Sequence, residues 1–295
     1  MKKLLLTGAS GYLGGRLWDY FTRQMPGWEV VCFSLRNGLA GLPDNLSAIV
    51  HAAGLDAASC ANDPVLAHKV NVEMTRHLVQ AAVEAQVRQF VFLSSVHVYG
   101  SPLAVQLDET MALPYPAHPY TATKKAAEHE VFALETGSAF QPTVLRLTNA
   151  FGCPASYNIK RWELIVNDLC RMAVTDGQLV LRSSGNQRRD FVTVTDVCRA
   201  VGHVLENQVG GLYNLGGEQV LTLREMAELV ADRATIVLGF RPEIVALGAE
   251  NVPDWPNFAV PIDRLKATGF SLLKNVAEEI EQTLLFCREF GESAR

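Results

Sequence analysis

Three glycines, at positions 8, 11 and 14, constrain this chain more than any other feature. They stand in the run Thr7-Gly8-Ala9-Ser10-Gly11-Tyr12-Leu13-Gly14, after a short apolar stretch at residues 3–7 and at the start of a helical pattern at 14–23. Gly8 permits a tight turn, Gly11 lets the backbone approach a pyrophosphate, and Gly14 allows helix and strand to pack closely. The N–H groups at the helix start then offer hydrogen bonds to phosphate. The spacing alone also fits an ordinary strand–turn–helix. The strand before it, the helix after it and its N-terminal position together select dinucleotide binding, with Gly8, Ser10, Gly11, Tyr12, Leu13 and Gly14 as contacts.

The front half repeats this rhythm. Apolar runs at 29–34, 48–53, 89–95 and 142–147 read as strands, and the segments 63–86 and 120–135 as helices. Strands that are apolar throughout, each followed by a helix, predict a parallel sheet covered on both faces, a doubly wound α/β Rossmann layout. Residues 1–150 are expected to form this dinucleotide-binding domain. Residues 151–295 are expected to be a smaller, loop-rich substrate-binding region with helices at 162–174, 195–206 and 223–234, part of 188–216 returning to the sheet.

A dinucleotide site usually carries an acidic residue at the end of the second strand, to hold the adenosine ribose. Here the strand runs into Ser34-Leu35-Arg36, and no acid stands at its end. A hydroxyl and a guanidinium suit a 2′-phosphate, so Ser34 and Arg36 favour NADP over NAD. The alternative is that Arg36 is a solvated loop charge.

The chain has 295 residues, 48% apolar and 19% charged, with a net charge of −5, which excludes disordered and collagen-like classes. Without a basic run, neither nucleic acid nor an anionic membrane is expected as a partner. The six cysteines form no CxxC pair or Cys/His cluster, so neither a zinc site nor a disulfide framework is expected. No uncharged apolar stretch approaches the ~20 residues of a spanning helix, and a cytoplasmic protein is expected.

Tyr120 and Lys124 lie four apart at a helix start, on one face of that helix. A phenol titrates near ~10, and an ammonium beside it lowers that value, making Tyr120 a usable acid/base. Twenty-five residues before Tyr120, Ser95 lies in a run that closes a strand, Leu93-Ser94-Ser95-Val96-His97-Val98-Tyr99-Gly100, at the edge where open α/β sheets bind ligands.

With these motifs together, the sequence resembles the extended short-chain dehydrogenase/reductase family, the NAD-dependent epimerases, dehydratases and reductases of nucleotide sugars. The resemblance spans residues 3–290 and rests on TGASGYLG (7–14), HAAG (51–54), Asn71, SSVHVYG (94–100), YTATK (120–124), RLTNAFG (146–152), RRDFVTVTDV (188–197) and LYNLGG (212–217). It implies that Ser95 hydrogen-bonds the reacting sugar oxygen, Tyr120 exchanges its proton, and Lys124 holds the nicotinamide ribose. It further implies that Ala52, Ala53, Gly54 and Asn71 line the cofactor, and that Asn149 and Arg189 contact the substrate's diphosphate or ribose.

Two departures refine the expectation. Only residues 36–47 separate the second and third strands, where the family usually fits a helix and another strand, a trimming that resembles the deoxysugar 4-ketoreductases. Val96-His97 also replaces the acid pair that the family's 4,6-dehydratases carry, which argues against water elimination of that kind. His97 is either a packed histidine or an added acid/base facing the sugar. Tyr157 and Trp162 are either a cover for a nucleotide base or core.

The expected activity is hydride transfer at a carbon of a nucleotide-linked sugar, with a ketosugar reductase preferred. The alternatives are a 4-epimerase with retained NAD and, in another class, a non-catalytic dinucleotide sensor or scaffold. A homodimer is expected through helices at 73–86 and 120–135.

Overall fold

The computed structural model describes residues 1–35, 38–39, 42–100, 106–134, 139–159, 162–248 and 258–290. In the front half, β1 (Lys2–Thr7), α1 (Tyr12–Gln24), β2 (Trp28–Phe33) and β3 (Ala48–His51) are followed by α2 (Ala57–Asn62) and α3 (Pro64–His68). A π turn (Lys69–Glu73) then leads into α4 (Met74–Glu84), β4 (Gln89–Ser95), a 3-10 turn (Val96–Tyr99), α5 (Pro119–Phe132) and β5 (Gln141–Leu147). The remainder holds β6 (Asn149–Phe151), α6 (Ile165–Thr175), β7 (Gln178–Leu181), β8 (Arg188–Thr193), α7 (Val194–Glu206), β9 (Gly211–Leu215) and β10 (Val220–Thr222). It closes with α8 (Leu223–Leu238), β11 (Glu243–Ala246), α9 (Asp263–Lys266) and α10 (Val276–Phe290).

Six strands form one sheet in the order β2-β1-β3-β4-β5-β9, every neighbouring pair parallel. The alternation of side chains along each strand explains the continuous apolar runs. Leu4 and Leu6, Ala48 and Val50, and Val91 and Leu93 turn to the face covered by α1 and α7. Leu5, Ile49, Phe90 and Phe92 turn to the face covered by α4 and α5, against Leu78, Val79, Ala127 and Val131. Both faces are dry, and this is the doubly wound α/β fold.

A second apolar core joins α6, α8 and α10 with Leu179, Leu181, Phe151 and Phe191. Beside it stand a three-stranded sheet, β10-β8-β6, and a two-stranded one, β11-β7. The helix at 194–206 does not belong with this core: Val197, Val201 and Val204 pack on the large sheet beside α1.

Several boundaries depart from the sequence expectation. The segment 63–86 is interrupted by the π turn, whose extra residue re-aims the side chains around Asn71. The helix expected from 162 begins at Ile165, and that expected to end at 234 runs on to Leu238, where Gly239 at φ 82 stops it. Between β2 and β3 no further strand lies among the described residues, so β2 is the sheet edge. Among the described residues no helix is long and apolar enough to cross a membrane.

Candidate active site

The sheet order reverses between β1 and β3, and the crevice at their carboxyl ends is where such folds bind ligands. The glycine turn lies there. Gly8 has φ +75, and a Cβ on it would sit 2.6 Å from the Ala53 amide nitrogen. A Cβ on Gly14 would sit 2.0 Å from the Gly8 carbonyl oxygen, so helix and turn meet at a distance only glycine allows. Gly11 is the N-cap of α1 with no side-chain cap, and no acidic residue stands in the first turn. The amides of that turn therefore remain for an anion, and the cradle fits a pyrophosphate.

Ser10 is exposed on the turn, and Leu13 packs against the sheet core. Tyr12 is buried and its hydroxyl donates to Gly152 O at 2.7 Å, so only its backbone amide is left for a ligand. The half-buried Ala52 and Ala53 follow β3, and a Cβ on the exposed Gly54 would point to Asn71 Oδ1 at 3.2 Å and Lys124 Nζ at 3.7 Å. The glycine turn, residues 52–54, Asn71 and Lys124 thus converge. Ser34 is exposed just past β2, and Arg36 lies outside the described residues.

A histidine without a role in the sequence reading braces this convergence. His51 is buried at the end of β3, its Nδ1 2.7 Å from Thr7 Oγ1 and its Nε2 2.9 Å from Thr75 Oγ1. The Thr75 hydroxyl donates to Asn71 O at 2.8 Å. Its proton being spent, Thr75 accepts from His51 Nε2–H, and Nδ1 accepts from the Thr7 hydroxyl; the tautomer is assigned from this network. Burial, aided by the Lys124 charge, pushes His51 down to about 3. Asn71 itself accepts from the Leu55 amide at 2.7 Å and donates to Thr123 Oγ1 at 3.1 Å.

Ser95 is the last residue of β4, and its Oγ accepts from the His97 amide at 3.3 Å. Tyr120 lies in the first turn of α5, its amide donating to Nδ1 of the N-cap His118 at 3.1 Å. One turn on, Lys124 Nζ donates to Leu93 O at 2.8 Å and lies 4.7 Å from the centroid of the Phe92 ring. Burial lowers the Lys124 amine to about 8.

His97 keeps an exposed surface, while partial desolvation, the Arg189 guanidinium and His118 hold it below its ordinary value. Val96 is buried among Val98, Tyr99, Leu107 and Val260, so neither position after Ser95 supplies a carboxyl group. Asn149 Nδ2 donates to Asp190 O at 2.9 Å, which braces β6 against β8. Arg189, half-buried on β8, donates from Nη1 to Arg188 O. The carboxylate of Asp190 accepts from the Gly217 amide, and that of Asp196 from Arg199. Tyr157 stacks on Phe290 with ring centroids 5.7 Å apart.

The model of the NAD-dependent epimerase/dehydratase family matches residues 4–216, which hold the glycine turn, Ser95, Tyr120 and Lys124. The chain belongs to this family. Among its relatives, a dTDP-D-glucose 4,6-dehydratase of Mus musculus is 31% identical over 160 residues, 54% of this chain and 43% of that protein. The chain thus spans less than half of the mammalian dehydratases it matches, the human one included at 44%. A GDP-6-deoxy-D-mannose reductase of Pseudomonas aeruginosa is 28% identical over 252 residues, 80% of this chain and 82% of that protein. In fold, the chain is similar to RMD from Pseudomonas aeruginosa, solved with NADPH: TM-score 0.82, 24% identity, covering 98% of this chain and 99% of that one.

Proposed function

We propose that this protein is an NAD(P)-dependent oxidoreductase acting on a nucleotide-linked sugar, and that it works as a ketosugar reductase. The observation that carries the reading is that Lys124, one turn after Tyr120 on α5, donates to Leu93 O two residues before Ser95 and lies beside Gly54, at the carboxyl ends of the central strands where the glycine cradle stands. The dinucleotide, when bound, supplies hydride exchange. The chain's own groups do the rest. Tyr120 moves the proton of the sugar hydroxyl, Ser95 hydrogen-bonds the same oxygen, and the Lys124 ammonium favours the phenolate. In this reading Asn149 and Arg189 contact the nucleotide, whose diphosphate a guanidinium suits.

The reductase reading is supported by the chain's similarity to the GDP-6-deoxy-D-mannose reductase over most of both lengths. It is supported too by an edge strand that ends at Phe33 and is followed by Ser34 rather than an acid, an arrangement suited to the 2′-phosphate of NADP(H). Without a carboxyl group at Val96 or His97, dehydration of the 4,6 type is disfavoured. The reading extends to a homodimer through α4 and α5, which lie side by side with Arg76 and Glu130 joined by two hydrogen bonds of 2.9 Å.

The test is release of bound cofactor from denatured protein, identified by absorbance and mass, followed by NADH and NADPH titrations and a panel of 4-keto nucleotide sugars. An empty protein that prefers NADPH and oxidises it with a ketosugar nucleotide supports the proposal. Stoichiometric retained NAD replaces the reductase with an epimerase. A folded protein that binds neither cofactor removes the enzyme.

A further inference from the structure

Beneath Lys124 lies a charged pair that the proton-transfer reading does not use. Glu128 is 5% exposed and Arg146 3% exposed. Arg146 donates from Nη2 to Glu128 Oε2 at 2.7 Å, and from Nε to both carboxylate oxygens at 3.1 and 3.2 Å. Ser94 adds a third donor, its Oγ 2.5 Å from Glu128 Oε1. The three residues come from three elements. Ser94 and Arg146 are register partners on β4 and β5, and Glu128 reaches them from α5.

The pair is an expensive way to fill this space. Replacing a buried ion pair by apolar residues of similar volume is often neutral or stabilising. Here the arrangement even leaves Arg146 Nη1 buried with no hydrogen-bond partner. What distinguishes the position is its neighbour. Glu128 follows Lys124 by one turn on the same face of α5. Lys124 Nζ holds Leu93 O while Glu128 holds the side chain of the next residue, Ser94, and Ser95 comes after that. Two adjacent contacts therefore dock the helix bearing Tyr120 on the strand end bearing Ser95.

We propose that Glu128, fixed by Arg146 and Ser94, is a positioning residue whose negative charge keeps the buried Lys124 amine protonated beside Tyr120. This rests on the proposed function for its purpose, since a neutral lysine no longer favours the phenolate. Among the described residues, the other titratable or charged groups near Lys124 are Cys60 from α2, His51 from β3, Arg146 from β5 beyond Glu128, and Tyr120 on its own helix, and none of these is a carboxylate. Arg146 and Ser94 occupy the Glu128 carboxylate, so its influence on Lys124 acts through space. The lysine remains available to a ribose.

The experiment is a titration of the full-length protein labelled with 13C at lysine Cε, followed by NMR, with Lys124→Met identifying the resonance. The wild-type midpoint is expected at about 8. In Glu128→Gln it falls to about 7 or lower, the loss of at least tenfold in proton affinity that removing one nearby opposite charge brings. A folded Glu128→Gln protein whose Lys124 midpoint stays at about 8 overturns the proposal. Should Arg146, left unpaired, unfold that variant, the Glu128→Met/Arg146→Met protein decides, because it removes both charges. A smaller fall is expected there, because the positive Arg146 charge goes with the negative one, and a midpoint at or above the wild-type value overturns the proposal. The midpoint needs no turnover, so it is read separately from the functional proposal, which fails on the absence of NADPH binding in the unsubstituted protein.

Discussion

Tyr120 and Lys124 lie one turn apart on α5, and in the proposed function removing the phenol oxygen alone separates chemistry from binding. In Tyr120→Phe, turnover is expected to fall about 10²- to 10⁴-fold. The NADPH dissociation constant, read by fluorescence titration, is expected to stay within about twofold, because Lys124 and the glycine cradle are untouched. Equal turnover in both proteins would assign the proton transfer elsewhere. His51 predicts a pH dependence of stability. Its folded value, about 3, lies below the ordinary 6.5, so the unfolded chain binds a proton between those values and the folded one does not. His51's contribution is complete above about pH 6.5 and is lost as pH falls toward 3. At pH 5 it amounts to about 2 kcal/mol less than at pH 7. Urea unfolding at both values should show that difference in the wild type and lose most of it in His51→Gln. The glycine turn, the strand-end place of Ser95 and the shared helix face of Tyr120 and Lys124 were legible in the sequence, because backbone geometry, an apolar run and helical spacing dictate them. His51, Glu128 and Arg146 were not. Their partners come from separate elements: Thr7 lies 44 residues from His51, and Glu128 18 from Arg146.

At the level of elements, the start of α1 meets the turn after β1 backbone to backbone, and this makes Gly14 the most exacting position of the turn. Alanine there would place its Cβ 2.0 Å from Gly8 O, and neither partner can yield without moving helix or turn. Gly14→Ala is expected to destabilise the protein by about 2 kcal/mol or more and to weaken NADPH binding about tenfold or more, by thermal melting and titration. Helix α8 offers a contrasting case. Thr222 caps it through the Glu225 amide at 3.0 Å, and the Glu225 carboxylate returns to the Thr222 amide at 2.7 Å. Thr222→Ala should cost about 1 kcal/mol and leave NADPH binding unchanged. Strand β4 was legible to the residue, because each of its side chains is buried and its run is apolar up to the serines. The π turn was not legible. A single extra residue leaves the helical pattern of 63–86 intact, and only the packing of Asn71 against Thr123 and residue 55 shows why it is there.

At the level of the molecule, polar contacts among the described residues join the sheet core to the satellite core of α6, α8 and α10. Arg16 of α1 is central to them. It donates to Glu279 of α10 at 2.7 Å, to Cys153 O at 2.6 Å and to Thr195 Oγ1 at 3.0 Å. Glu279 in turn accepts from Thr195 Oγ1 at 2.5 Å and from the Cys153 amide at 3.2 Å. The carboxylate is 3% exposed and the guanidinium 19%, so the pair is largely withdrawn from water. Removing one member leaves the other charged, desolvated and without its counter-ion, which is costlier than removing both. Glu279→Ala is therefore expected to lower stability by about 3 kcal/mol in urea unfolding followed by tryptophan fluorescence. The Arg16→Met/Glu279→Met protein should recover at least half of that, because it restores apolar packing and leaves no charge behind. If the double variant is no more stable than Glu279→Ala, the joint depends on the bonds to Thr195 and Cys153 rather than on charge. Because Arg16 stands one turn after Tyr12 on the helix that starts at the cradle, loosening this joint should also weaken NADPH binding. Thr222→Ala, whose cap belongs to the satellite core, should not.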